Sequence, residues 1–146
     1  MQLNTASAVI TFVTKHEEET IKFYEKLAQK YPEGKEFFLT YSKENQRNKV
    51  MVERTYYGVI TDMLEACFAF KDGLDPAAYA VKIDLAEGAS YSDALKDALE
   101  MEKIIQKLYI EAAALSEGLM ADVPRAFRII ARKRGDRIAK IKALIG

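Results

Sequence analysis

The sparse placement of helix-breaking residues is the feature that most constrains the fold of this chain. Only 7 Gly and 3 Pro occur among 146 residues, and these two residue types weaken a helix more than any other. Several are grouped, as in Tyr31-Pro32-Glu33-Gly34 and Lys71-Asp72-Gly73. Between the groups, apolar residues recur at spacings of three and four, the period of an amphipathic helix. The sequence therefore predicts an all-α fold built from long helices.

Local signals indicate where these helices begin and end. Asp75-Pro76 is typical of an N-cap followed by proline at the first helical position, and Ser90-Tyr91-Ser92-Asp93 resembles a capping box. Glu117-Gly118 and Asp122-Val123-Pro124 mark the last boundary. The predicted long helices cover residues 5 or 7 to 30, 35–70, 90–117 and 122–146, and a short connecting helix covers residues 76–85. We expect a single domain, residues 1–146, with one long crossover between the second and third helices.

Composition narrows the expected setting of the protein. Lys plus Arg equals Asp plus Glu at 22 each, so no net field attracts nucleic acid or an anionic membrane. The single cysteine, Cys67, cannot form an intramolecular disulfide, which favours a reducing, cytoplasmic environment. The start of the chain lacks a basic segment, and no apolar run approaches the roughly 20 residues of a membrane span. We expect no nucleic-acid partner and no membrane association.

Two segments of the chain share a Glu–Tyr spacing. Tyr24 follows Glu17 by seven residues, and Tyr109 follows Glu102 by the same interval. Seven residues are about two helical turns, so each pair lies on one face of its helix. We favour packing of both tyrosines in the core with a satisfied hydroxyl. They could instead donate hydrogen bonds to Glu17 or Glu102, or be redox-active tyrosines next to a metal.

These segments, together with the expected crossover, resemble the rubrerythrin-like branch of the ferritin-like superfamily, and the resemblance extends over essentially the whole chain. The residues that carry it are Glu17, Phe23-Tyr24-Glu25-Lys26-Leu27-Ala28, the acidic segment around Glu44, and Ala98-Leu99-Glu100-Met101-Glu102. The resemblance implies a ferritin-like four-helix bundle. In such bundles, one glutamate from each of two helices and a Glu-x-x-His pair from each of the other two surround two iron ions.

Measured against that pattern, the metal site of this chain is degenerate. The first expected pair reads Glu44-Asn45-Gln46-Arg47 and the second reads Arg134-Gly135-Asp136-Arg137. Both histidines and one of the four carboxylates are therefore replaced by arginine. Arginine offers no lone pair to a metal, but its planar fork matches a carboxylate.

The leading hypothesis is that a Glu–Arg network replaces the di-iron centre. The remnant ligands would be Glu17, Glu44 and Glu102, paired with the site-replacing arginines Arg47, Arg134 and Arg137, with Tyr24 and Tyr109 around them. Three carboxylates and three guanidiniums would balance without metal. The same residues could instead be solvated surface side chains. Asn48 could also occupy the inward position in place of Arg47, and His16 is expected at the surface.

Three functions remain compatible with these residues. The favoured one is a non-catalytic relative of rubrerythrins in a structural or partner-binding role, with no cofactor; the resemblance implies a homodimer. The second is an iron-dependent oxidase or peroxidase that uses Glu17, Glu44 and Glu102 with help from His16, Asp136 or another carboxylate. The third is a binder of a small acidic ligand, in which the arginines form the pocket.

Overall fold

A computed structural model describes residues 2–59, 69–118 and 122–146 of the chain. The structure is mostly helical, which confirms the all-α class. The described residues contain four long helices: α1 (Ala6–Lys30), α2 (Lys35–Val59), α3 (Tyr91–Leu115) and α4 (Asp122–Ile145). In the described parts of the chain, no helix is both long and apolar enough to cross a membrane. Cys67 lies outside the described residues.

Apart from the end of α2, helix ends lie close to the predicted positions, because side chains there satisfy free backbone groups. Thr5 caps α1 by accepting a hydrogen bond from the backbone N–H of Ala8 at 3.1 Å. The breaker group forms a single 3₁₀ turn, Pro32–Gly34, that leads directly into α2. Ser90 and Asp93 form a full capping box at the start of α3. These ends depend on neighbouring residues alone, so the sequence predicts them well.

The connection before α3 differs from the prediction. A two-stranded antiparallel sheet joins β1 (Leu3–Thr5) to β2 (Ala69–Leu74), so the predicted second helix is wrong at residues 69 and 70. Residues 60–68 of that predicted helix lie outside the described residues. The predicted helix over 76–85 is also wrong, since only a 3₁₀ turn, Pro76–Tyr79, forms there. Asp75 caps that turn, but Ala80 is already extended, and the chain continues irregularly to α3.

The four helices enclose one core. α1 packs mainly along α2, and α3 mainly along α4; further contacts of α1 with α3 and of α2 with α4 join the two pairs. Aromatic rings fill the centre, including Phe23, Phe38 and Phe127, each at most 2% exposed. Polar residues also lie inside this core, on all four helices. Those polar residues form the candidate site.

Candidate functional site

The two Glu–Tyr pairs interlock between α1 and α3. Tyr24 on α1 donates a hydrogen bond to Oε1 of Glu102 on α3 at 2.7 Å. Tyr109 on α3 donates to Oε1 of Glu17 on α1 at 3.0 Å. All four side chains are buried, at 0–1% exposure. Each tyrosine therefore binds the glutamate of the other segment, and the repeat seen in the sequence becomes a reciprocal contact between two helices.

Arg134 of α4 lies between these two glutamates. Its Nη1 donates to both oxygens of Glu102, at 2.7 and 3.0 Å, and its Nη2 donates to Oε1 of Glu17. The arginine and both glutamates are 0% exposed. A guanidinium thus bridges α1 and α3 at the centre of the helices.

Arg137 lies one turn further along α4 and extends the network to α2. Its Nη1 donates to Glu102 Oε1 at 3.1 Å, while Nε and Nη2 both donate to Glu44 Oε2 at 3.2 and 3.0 Å. The guanidinium also lies over the ring of Tyr41, with its central carbon 4.5 Å from the ring centre. Arg137 is 3% exposed, whereas the Glu44 side chain is 35% exposed. Glu44 therefore forms the outer edge of the network.

The sequence prediction is wrong for Arg47, which is exposed and stands outside the network. The inward positions of α2 belong to Asn45 and Asn48, at 0% and 1% exposure. The inward face of α2 runs through Phe38, Tyr41, Asn45, Asn48 and Val52. Adjacent helical positions point about 100° apart, so a reading based on Glu44-x-x-Arg47 is one residue out of register. The three-to-four spacing of that buried face is the signal that identifies Asn45 and Asn48.

His16 is buried rather than at the surface. Its Nε2 lies 2.8 Å from the carbonyl oxygen of Tyr79, and its Nδ1 lies 3.1 Å from that of Phe12. The expectation of a surface histidine is wrong because the turn Pro76–Tyr79 covers this part of α1. Both ring nitrogens face backbone carbonyls, so His16 fastens the connection before α3 to α1 and is directed away from the glutamates.

Opposite pKa shifts distinguish the two buried glutamates. Burial opposes ionisation of Glu102, but the positive charges of Arg134 and Arg137 outweigh it and hold its pKa below the usual value. For Glu17, burial prevails over the charges of the same two arginines and over the hydrogen bond from Tyr109, and its pKa is raised. The contacts explain the difference, since Glu102 binds two guanidiniums and Glu17 binds one. Within the described residues, Glu17 Oε2 has no hydrogen-bond partner.

The charge count favours a proton on Glu17. Arg47 is outside the network, so three carboxylates (Glu17, Glu44 and Glu102) face only the guanidiniums of Arg134 and Arg137. If all five groups were ionised, the network would carry one excess negative charge. Protonation of Glu17 would balance the network. The two tyrosines remain neutral donors, because burial raises the pKa of Tyr24 and of Tyr109 well above the ordinary value.

The donor set does not fit a metal. Among the described residues, no group of three or more His, Cys, Asp or Glu side chains gathers where it could hold a metal ion. Oε1 of Glu102 accepts hydrogen bonds from Arg134, Arg137 and Tyr24, and Asp136 is exposed. The arrangement can hold helices together and fix their register. Among the described residues, every buried carboxylate oxygen at its centre except Glu17 Oε2 accepts a hydrogen bond from a guanidinium.

Comparison with known proteins identified no relative of this chain. No protein family, no curated protein and no solved structure matches the chain.

Proposed function

We propose that this protein is a ferritin-like helical bundle that has lost di-iron catalysis and serves a structural or partner-binding role. The observation that carries the proposal is the position of Arg134, whose fully buried guanidinium bridges Glu17 and Glu102. In the family that the sequence resembles, carboxylates at the matching positions bind iron. Four long helices and the long connection between α2 and α3 are compatible with that architecture.

The guanidinium of Arg134 repels a metal ion at this centre. Unit charges 4 Å apart interact by about 4 kcal/mol at an effective dielectric constant near 20, so a divalent ion beside Arg134 would meet about twice that repulsion. Imidazole, which iron oxygen chemistry normally uses, is also missing from the network, because both ring nitrogens of His16 lie against backbone carbonyl oxygens. Glu17, Glu102 and Arg134 are 0% exposed, so a substrate would have no direct access to them.

Ferrous iron titration tests the loss of the metal centre. We would measure the metal content of tag-free protein purified without chelator, then add ferrous iron anaerobically to the apo form and follow its melting temperature. The proposal predicts no bound iron and an unchanged melting temperature. About two iron ions per chain with clear stabilisation would instead favour the alternative, an iron-dependent oxidase or peroxidase.

A restored variant supplies the positive control. The structure places Asn45 and Asn48 of α2, and Arg134 and Arg137 of α4, at inward positions three residues apart. The combined substitution Asn45→Glu, Asn48→His, Arg134→Glu and Arg137→His would recreate two Glu-x-x-His pairs facing Glu17 and Glu102. We expect this variant to be stabilised by ferrous iron where the parent is not. Equal iron uptake by the parent and the restored variant would contradict the claim that Arg134 and Arg137 prevent iron binding.

The homodimer expected from the resemblance stays a prediction. Sedimentation equilibrium of the purified chain tests it directly, since a dimer has twice the mass of the 16.5 kDa chain. A monomer at all concentrations would leave the bundle without a self-partner and move the search to other proteins.

A further inference from the structure

An open groove lies between α2 and α4, directly outside the buried network. Its volume is about 380 Å³, at the lower end of the range for small-molecule sites. The residues that line it are Thr40, Tyr41, Glu44, Arg47, Lys133, Asp136, Arg137 and Lys140. We call this feature the α2–α4 groove. Four of its eight side chains are cationic and two are carboxylates.

The side chains that line the groove carry more positive than negative charge. Glu44 is bound by Arg137 through two hydrogen bonds, so its charge is already balanced. Of the remaining lining charges, Arg47, Lys133 and Lys140 outnumber Asp136. Within the described part of the chain, none of these four side chains forms an ion pair. Three cations around one concave surface attract an anion.

Tyr41 provides a second, independent observation. Its side chain lines the groove and is only 5% exposed, yet its hydroxyl has no hydrogen-bond partner among the described residues. A buried hydroxyl without a partner is unfavourable. Burial raises the pKa of Tyr41 to about 12, so at neutral pH the hydroxyl keeps its proton. A small movement of this buried side chain would let the hydroxyl donate a hydrogen bond to an anionic oxygen in the groove.

The larger groove between α1 and α2 lacks this combination. It measures about 710 Å³ and is lined by Glu25, Ser42, Lys35 and Lys43 among others. Its buried hydroxyl, on Ser42, already donates to Glu25 at 3.4 Å. Size alone therefore does not identify the better site.

We propose that the α2–α4 groove binds a small molecule that carries a carboxylate or phosphate group. Arg47, Lys133 and Lys140 neutralise the anion, and the Tyr41 hydroxyl donates a hydrogen bond to one of its oxygens. The inner arginine does not take part, because Arg134 is fully buried against Glu17 and Glu102. Arg47, Lys133 and Lys140 do not belong to the buried network, although Glu44 and Arg137 of that network also line the groove.

Titration with sodium phosphate and with sodium succinate, at constant ionic strength, tests the site. Amide chemical shifts would report the location of binding and its affinity. The proposal predicts saturable binding of at least one of the two anions, with the shift changes centred on residues 40–47 and 133–140. Saturation by phosphate alone would assign a phosphate group, and saturation by succinate alone a carboxylate. Absence of saturable binding for both anions would overturn the proposal.

Two variants separate a built site from general charge attraction. Arg47→Gln with Lys133→Gln should weaken binding at least about 10-fold, because two charge-assisted contacts are removed. Lys15→Gln with Lys26→Gln removes the same charge from exposed positions on α1 and should leave the affinity unchanged. Equal weakening by both double variants would show that only net charge matters, and the site would be rejected.

Tyr41→Phe tests the hydroxyl itself. The phenylalanine retains the ring beneath Arg137 and removes only the oxygen that lacks a partner. We expect binding to weaken about 3- to 10-fold, as for loss of a hydrogen bond to a charged group, with no fall in melting temperature. Unchanged affinity in this variant would contradict the assigned role of Tyr41.

Discussion

Glu102→Gln and Glu17→Gln should have very different effects on stability, although both remove one charge from the same network. Glu102 accepts hydrogen bonds from two buried guanidiniums and from Tyr24. Its replacement leaves Arg134 and Arg137 short of negative charge and places an amide N–H₂ group against a guanidinium. Removing one partner of a buried ion pair typically costs about 3–5 kcal/mol. We expect a loss of that size for Glu102→Gln.

Glu17→Gln should change the free energy of unfolding by less than about 1 kcal/mol at pH 7. The amide oxygen can still accept from Arg134 and Tyr109, and the amide nitrogen would occupy the position of Oε2, which faces no donor among the described residues. The raised pKa of Glu17 determines how its contribution to stability depends on pH. A raised folded-state pKa contributes stability below the unfolded pKa, and that stability is lost as pH rises through the folded value. Glutamine imitates the protonated form at every pH.

Urea unfolding followed by far-ultraviolet circular dichroism would measure the difference. Glu100→Gln is the matched control, since Glu100 lies two residues away on α3 with a side chain that is 69% exposed. Its effect should stay within about 0.5 kcal/mol. Equal losses of about 3–5 kcal/mol for Glu17→Gln and Glu102→Gln would refute the asymmetry derived from their contacts.

Three further changes test neighbouring parts of the structure. Tyr109→Phe should cost about 1 kcal/mol and raise the pKa of Glu17 further, which carboxyl carbon shifts in NMR would report. Gly34→Ala should cost about 1–3 kcal/mol in thermal unfolding, because its Cβ would lie 2.7 Å from a ring carbon of Phe38; an unchanged melting temperature would contradict this packing. Since the folded-state pKa of Glu102 is lowered, its contribution to stability is present above the unfolded pKa and lost as pH falls through the folded value. Urea midpoints measured between about pH 3 and 7 should therefore fall less steeply in Glu102→Gln than in the parent.

Features decided by neighbouring residues were predictable from the sequence. The caps at Thr5 and Ser90 and the turn at Pro32 depend on side chains within three residues of the helix end. Strand β2 was not predictable in this way, because its hydrogen bonds go to β1, more than 60 residues earlier. A strand that is defined by a distant partner leaves little local trace.

The sequence predicted most of the residues that form the candidate site, but not which of them contact each other. The spacing of Glu17 with Tyr24 and of Glu102 with Tyr109 indicated two similar faces, but not that each tyrosine would bind the other glutamate. On α2, the search for a Glu-x-x-His pattern favoured Arg47, while the spacing of buried aromatic residues favoured Asn48. The packing of the helix decides its register, so the apolar spacing was the better guide.

The network need not be the main source of stability, and its complete replacement would test that. Buried ion pairs often exchange for apolar residues without loss, because the cost of removing charges from water disappears with the attraction between them. One combined variant replaces the centre of the network with apolar residues: Glu17→Leu, Glu102→Leu, Arg134→Met, Tyr24→Phe and Tyr109→Phe. Of the groups that remain, only Arg137 loses a hydrogen bond, the one to Glu102, and it keeps its two hydrogen bonds to Glu44. We expect the combined variant to be at least as stable as the parent within about 1 kcal/mol, whereas Arg134→Met alone should lose about 3–5 kcal/mol. A broadened amide spectrum in the apolar variant would show that the charges select one helix register. A loss larger than that of Arg134→Met would show instead that the network itself holds the helices together.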